Sequence, residues 1–237
     1  MATGQDRKSK PEAAGSTCSA SDRAYQAIRE HISKGDLRQG ERLKEAELVE
    51  LCQVSRTPIR DALRRLETEG IVTITPNAGA VVAIWSETEL SDLFAVRARV
   101  EGMAAAFAAR RRTEDDLKKL QTIAGAFFAL VEGAEAPLEH TEIAETNGAF
   151  HRAIVSVARS RAISVASAQV MDIPIMLRTF QHYERNDLAR SAAQHLEITE
   201  AVRVQDGDWA EAVMSAHIRA GFQALKAGRR MFAGGAP

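Results

Sequence analysis

Four arginines, Arg56, Arg60, Arg64 and Arg65, fall within ten residues that hold one acid, Asp61, a local balance of +3. An arginine fork can hold guanine O6 and N7, or a phosphate, through two parallel hydrogen bonds. Helical spacing turns these arginines outward and Ile59, Ala62, Leu63 and Leu66 inward. The excess is local: residues 1–84 carry 13 Lys+Arg against 12 Asp+Glu, and residues 85–237 carry 18 against 20. Any contact with a polyanion must therefore come from this one patch. The alternative is a solvated helix face whose arginines pair with Glu67 and Glu69.

A second constellation is built on histidine. Asn147 and His151 stand at i,i+4 and share one helix face. His195 and His217 lie 11 residues before and 11 after Asp206, which begins a turn between two helices. An antiparallel hairpin brings both to one level. Three imidazoles converging from three helices could hold a divalent cation, zinc or similar, with positions open for water or a carboxylate. The alternative is that each histidine is a hydrogen-bonded core residue. Arg97 sits on a largely apolar helix among Phe94, Val96, Val100 and Met103. An arginine there needs an anion or a carboxylate partner; Glu101, its i+4 neighbour, is the local one. Arg178 is a second cation for the same purpose, or a solvated one.

The elements that must position these groups can be read from capping and turn chemistry. Apolar residues at 24, 27, 28 and 32 predict a helix, and Gly35 and Gly40 interrupt the chain after it. A short helix over about 44–52 places Leu48, Leu51 and Cys52 on one face. Ser55 or Thr57 caps the arginine helix, Pro58 suits its first turn, and Gly70 stops it. Alternation at 71–75, turn residues at 76–79 and a second strand at 80–85 make a hairpin, with Gly79 at its tip. Ser86 to Glu89 form a capping box that opens a long helix to about Arg112. Helices are expected from there to the end, at about 113–132, 138–158, 161–184, 188–205 and 208–228. The fold class is mainly α: a winged helix-turn-helix over 21–85, then an all-α antiparallel bundle over 86–230. Residues 1–20 read as a disordered tail and 231–237 as a loose one.

Composition limits the alternatives. Aromatic residues make up only 5% of the 237, which argues against a large all-β protein. Two cysteines, Cys18 and Cys52, exclude a disulfide scaffold and a cysteine-rich zinc module. No apolar run approaches the ~18 residues of a membrane span, and no secretory h-region follows the N-terminus. A cytoplasmic protein with no membrane partner is expected.

Residues 24–84 resemble the winged helix-turn-helix of the GntR family of bacterial transcription regulators. Gly40-Glu-Arg-Leu43, Val54-Ser-Arg-Thr-Pro-Ile-Arg-Asp-Ala-Leu-Arg-Arg-Leu66 and Glu69-Gly-Ile71 carry the resemblance. It implies double-stranded operator DNA as partner, with Arg56 and Arg60 at bases or backbone and Gly79 in the wing; Thr57 lies with them at the helix N-terminus and Arg64 one turn on, where side chains approach base edges. The family often has an arginine where this chain has Ala46, so that contact is absent here or falls to Lys44. The remainder resembles the FCD ligand-binding domain of the FadR-like subfamily, through Val96-Arg97-Ala-Arg-Val-Glu101, Asn147-Gly-Ala-Phe-His151, His195 and Met214-Ser-Ala-His217. That resemblance implies a metal held by Asn147, His151, His195 and His217, with Asn147 where an aspartate is usual. It also implies a small carboxylate effector clamped by Arg97; Arg178 is a candidate from the opposite wall, or a solvated or intersubunit arginine. The whole then reads as a homodimeric repressor released by an organic acid, and not an enzyme. The alternative is a metal-dependent hydrolase using His151, His195 and His217.

Overall fold

The computed structural model describes residues 19–75, 79–133, 140–171 and 183–233. The expected tails, apart from their inner ends, lie outside these residues.

Ser19 opens the first helix, α1 (Ala20–Lys34), through a reciprocal capping box with Asp22. A strand β1 (Arg42–Leu43) and helices α2 (Glu45–Cys52) and α3 (Arg56–Thr68) follow. Gln53, at φ 53°, makes the left-handed turn between α2 and α3. On α3, Ile59, Ala62, Leu63 and Leu66 are buried as the spacing predicts, packing with Tyr25, Ile28 and Leu48. Leu51 stands exposed, off the face that Leu48 and Cys52 present to the core.

The hairpin has a third partner. Strands β2 (Val72–Thr75) and β3 (Gly79–Val82) pair antiparallel, and β1 adds to the far edge of β3 with Arg42 opposite Val81. The order is β1-β3-β2. Two residues are too few for alternation to announce a strand. The hairpin tip, 76–78, falls outside the described residues.

Six described helices make the second unit: α4 (Glu87–Arg111), α5 (Glu114–Gly133), α6 (His140–Val157), α7 (Arg161–Met171), α8 (Arg185–Arg203) and α9 (Gly207–Ala233). The box of Ser86 and Glu89 caps α4, and Thr113 and Asp116 exchange the same bonds before α5. Of the helix expected over about 161–184, the described part is α7, to Met171; Tyr183 and Glu184 are not helical, and Glu184 caps α8, which starts at Arg185 and not at about 188. Residues 172–182 of that span lie outside the description. At the other end α9 runs past the predicted 228 to Ala233.

Helices α4 and α9 lie antiparallel and cross closely at Gly102. A Cβ there would stand 2.7 Å from Ser215 Oγ, which already donates to Ala98 O, and 3.2 Å from Glu211 Cγ. Gly102→Val is expected to destabilise the protein by ~1–3 kcal/mol through overpacking, read as a lower Tm. An unchanged Tm would mean the two helices can separate at no cost.

Candidate nucleic-acid interface and metal centre

Arg56, Thr57, Arg60 and Arg64 all stand exposed along the outer face of α3. Arg60 Nε donates to Glu45 Oε1 at 2.8 Å, so α2 fixes the direction in which its fork points. Both side chains are solvated, so the pair adds little stability and can be exchanged for a stronger partner. Arg65 is committed elsewhere: it bonds Asp22 at 3.2 Å, approaches Glu69 at 3.5 Å and covers the Tyr25 ring at 3.8 Å. Of the two anticipated glutamates, only Glu69 takes an arginine. Glu67 instead accepts from Ile74 N at 3.2 Å.

Gly79 is exposed at the start of β3 with φ 90°, a backbone few L-residues adopt. A Cβ on it would lie 3.7 Å from Arg42 Nε. Arg42 therefore adds a cation at the wing, which the sequence reading missed. Its motif was visible, but its place depended on β1 pairing with β3. Ala46 is exposed, and Lys44 pairs with Glu47 at 2.7 Å.

In the helical unit, His151 of α6, His195 of α8 and His217 of α9 are all buried, and each offers a ligand atom within 4.8 Å of the others. His151 Nδ1 faces Glu101 Oε2 at 2.6 Å, and His217 Nδ1 faces Gln194 Oε1 at 3.2 Å. Both oxygens accept, so both Nδ1 atoms carry the proton. This leaves two Nε2 lone pairs facing each other at 3.1 Å. Nitrogens bound to one tetrahedral zinc at ~2.0–2.1 Å stand about 3.3 Å apart, close to the separation here, so a cation between them would relieve the conflict. Phe150 stacks on His195 with centroids 4.0 Å apart and orients its ring, yet neither ring nitrogen finds a hydrogen-bond partner. Asn147 Oδ1, one turn before His151, is likewise buried without a partner. Four unsatisfied or opposed donors of this kind suit a borderline metal.

Electrostatics agree. Burial, then the neighbouring His217 and His151, hold His195 well below the ordinary imidazole range. Burial and His151 do the same to His217, against an opposing pull from Glu101. Neutral imidazole is the ligand form. Burial alone would raise the Glu101 carboxyl, but the charge of Arg97 and the hydrogen bonds from Arg97 and His151 outweigh it and bring it to about 2. Glu101 also accepts from Arg97 Nε at 2.8 Å, which is the local pairing the sequence offered as an alternative for Arg97. The chain Arg97–Glu101–His151 was missed because its second link joins residues 50 positions apart. Gln194 was also missed; only its place beside His195 could have pointed to it. Arg178 lies outside the described residues.

The model for bacterial regulatory proteins of the gntR family matches residues 20–82, and the FCD domain model matches 92–220. The Nta operon transcriptional regulator of Aminobacter aminovorans is 30% identical over 188 residues, 79% of this chain and 86% of that protein. The HTH-type transcriptional repressor GlaR of Escherichia coli is 27% identical, over 82% of this chain and 90% of that one. Among solved structures, E. coli McbR/YncC superposes with a TM-score of 0.72 at 20% identity, over 91% of this chain and all 100% of that one, which speaks for the fold.

Proposed function

This chain belongs to the GntR family of bacterial transcription regulators and carries an FCD domain, and from that membership we propose a cytoplasmic, homodimeric repressor that an organic acid releases from its operator. The family and the relatives are regulators and not enzymes, which removes the hydrolase alternative. The helix-turn-helix implies DNA binding, and among the described residues no helix is long and apolar enough to cross a membrane.

One observation carries the effector half of the reading: three buried histidines with opposed or unpartnered nitrogens lie beside the ion pair of Arg97 and Glu101. His151, His195, His217 and Asn147 would hold a divalent metal. A metal bound there supplies a positive centre for a carboxylate. Arg97 lies one turn along α4 from the ligand-orienting Glu101, placed to favour the same anion. Arg178 is proposed as the second clamp. The acid must bind the released state better than the DNA-bound state, or it shifts nothing.

On the DNA side, Arg56, Thr57, Arg60 and Arg64 approach bases and phosphates in the major groove, while Gly79 and Arg42 bring the wing to the backbone. Two-fold symmetry in the protein would match a palindromic site. Val96 and Met103 stand exposed along α4, at 49% and 46%, and support a subunit contact there.

The test is fluorescence anisotropy on a duplex selected from a random library, across a salt series. Binding should weaken steeply with salt. Arg60→Ala should lose ~1–3 kcal/mol, roughly ten- to hundredfold, and relax selectivity at one base pair. Failure to enrich any duplex at low salt would overturn the reading. So would full binding by the variant.

A further inference from the structure

Ser191 lies on α8 one turn before His195. Its side chain is 4% exposed, and its hydroxyl has no hydrogen-bond partner among the described residues. Helical hydroxyls elsewhere in this chain fold back on the carbonyl four residues earlier: Ser33 on Arg29, Thr122 on Lys118, Thr199 on His195. Ser191 does not use that acceptor. Ser167 shares this state, but it lies on α7, which contributes no histidine to the metal centre.

The surroundings define the layer in which Ser191 stands. The rings of His151, His195 and His217 meet at one level of the bundle, with centroids 4.8 to 5.5 Å apart. A separate apolar cluster joins Phe127, Val131, Ile143, Ala144, Leu188 and Ala192. On both α6 and α8 the chain runs from that cluster toward the histidines. Asn147 and Ser191 each stand one turn before a histidine, at a level that the cluster also reaches through Ala192 and through Phe127, whose ring centroid is 4.7 Å from that of His195. On α9, Gly221 is one turn beyond His217, and a Cβ there would fall 2.7 Å from the Tyr183 hydroxyl. Tyr183 packs against the apolar cluster and feels the charge of Arg97. Arg97 is itself one turn from Glu101. A polar layer thus lies beside the histidines, edged by the apolar cluster.

We propose that Ser191 is a ligand contact that reads a hydroxyl group on the bound acid, and that the effector class is a small 2-hydroxycarboxylate. This rests on the reading of an acid bound at the histidine centre. Its carboxylate is drawn to the histidine level and to Arg97. The next group along the ligand then enters the layer of Ser191. A hydroxyl on the carbon beside the carboxylate, plus one O–H···O bond of about 2.8 Å, spans about one helix turn of 5.4 Å. A methylene in its place would leave the Ser191 hydroxyl buried and unpaired, a large penalty in a site built for a hydrogen bond.

The experiment is calorimetric titration of the full-length, zinc-loaded protein with two matched pairs, lactate against propionate and malate against succinate. Operator release is read in parallel. In at least one pair the hydroxy acid should bind about tenfold tighter or better. Ser191→Ala should bring that ratio to within about twofold, with zinc stoichiometry, Tm and operator affinity unchanged. A merely structural serine would not move the ratio. If both members of a pair bind and release the operator equally, the hydroxyl assignment falls and the acid-effector reading stands. A ratio that survives Ser191→Ala also overturns the assignment. If no acid of either kind binds or releases the operator, both readings fall.

Discussion

Glu101→Ala should lower the stability of the protein by ~3–5 kcal/mol, the usual cost of removing one partner from a buried ion pair. Glu101 is 1% exposed, accepts from Arg97 Nε at 2.8 Å and faces His151 Nδ1 at 2.6 Å. Its carboxylate is what compensates the charge of Arg97, itself only 8% exposed and 5.2 Å from the Phe94 ring. Alanine removes that compensation and also leaves a void. Glu101→Gln separates the two effects, since it keeps the shape and removes the charge. The measurement is urea unfolding of chelator-treated protein. A loss under ~1 kcal/mol in the alanine variant would show that the pair is not a structural unit. Metal binding gives an independent readout. Glu101 fixes the tautomer that points Nε2 of His151 at the centre, and loss of such an orienting partner weakens a metal by about ten- to hundredfold. The double replacement Arg97→Met with Glu101→Leu should recover much of the stability and none of the metal affinity.

The reach of local sequence signals explains which parts of this molecule could be read in advance. The face of α3, the Ser86 and Thr113 caps and the hairpin about Asp206 rest on spacings of three to eleven residues, and each appears as expected. His195 and His217 meet because the turn between α8 and α9 is short and symmetric about them. The features that were missed depend on contacts between distant segments. Strand β1 exists because Arg42 and Leu43 meet an edge of β3 about forty residues later. Glu101 could be seen as the i+4 partner of Arg97, but its bond to His151 needs the packing of α4 on α6. Leu51 reads as core by type, yet nothing in the short α2 reveals that Leu48, Val49 and Cys52 meet the core and Leu51 does not. Helix α8 begins at Arg185 and not at about 188 because Glu184 caps it with Asp187, a local box that the periodicity of its neighbours concealed.

Asn147→Asp should tighten divalent metal binding by ten- to hundredfold, ~1.4–2.8 kcal/mol, and weaken the dependence of that binding on an acid. Three neutral imidazoles and an amide oxygen bring no charge to the centre. The nearby charges of Glu101 and Arg97 cancel each other. A dication therefore enters a buried site with its charge uncompensated, and an acidic ligand is the natural source of compensation. Metal and acid should then bind cooperatively, with reciprocal coupling. An aspartate builds that charge into the protein. At about 4 Å and an effective dielectric near 20, the added attraction is ~8 kcal/mol before desolvation, which removes most of it. Thermal melts would run in opposite directions. Without metal the variant should be less stable than the parent, since a buried carboxylate replaces an amide. With zinc it should be more stable. Competition against a chelator, with and without lactate, gives the affinity and the coupling separately. A zinc affinity within twofold of the parent would show that position 147 lies outside the coordination sphere. An undiminished lactate effect, on tighter zinc binding, would show that the acid acts through Arg97 and the serine layer instead of through the charge of the metal.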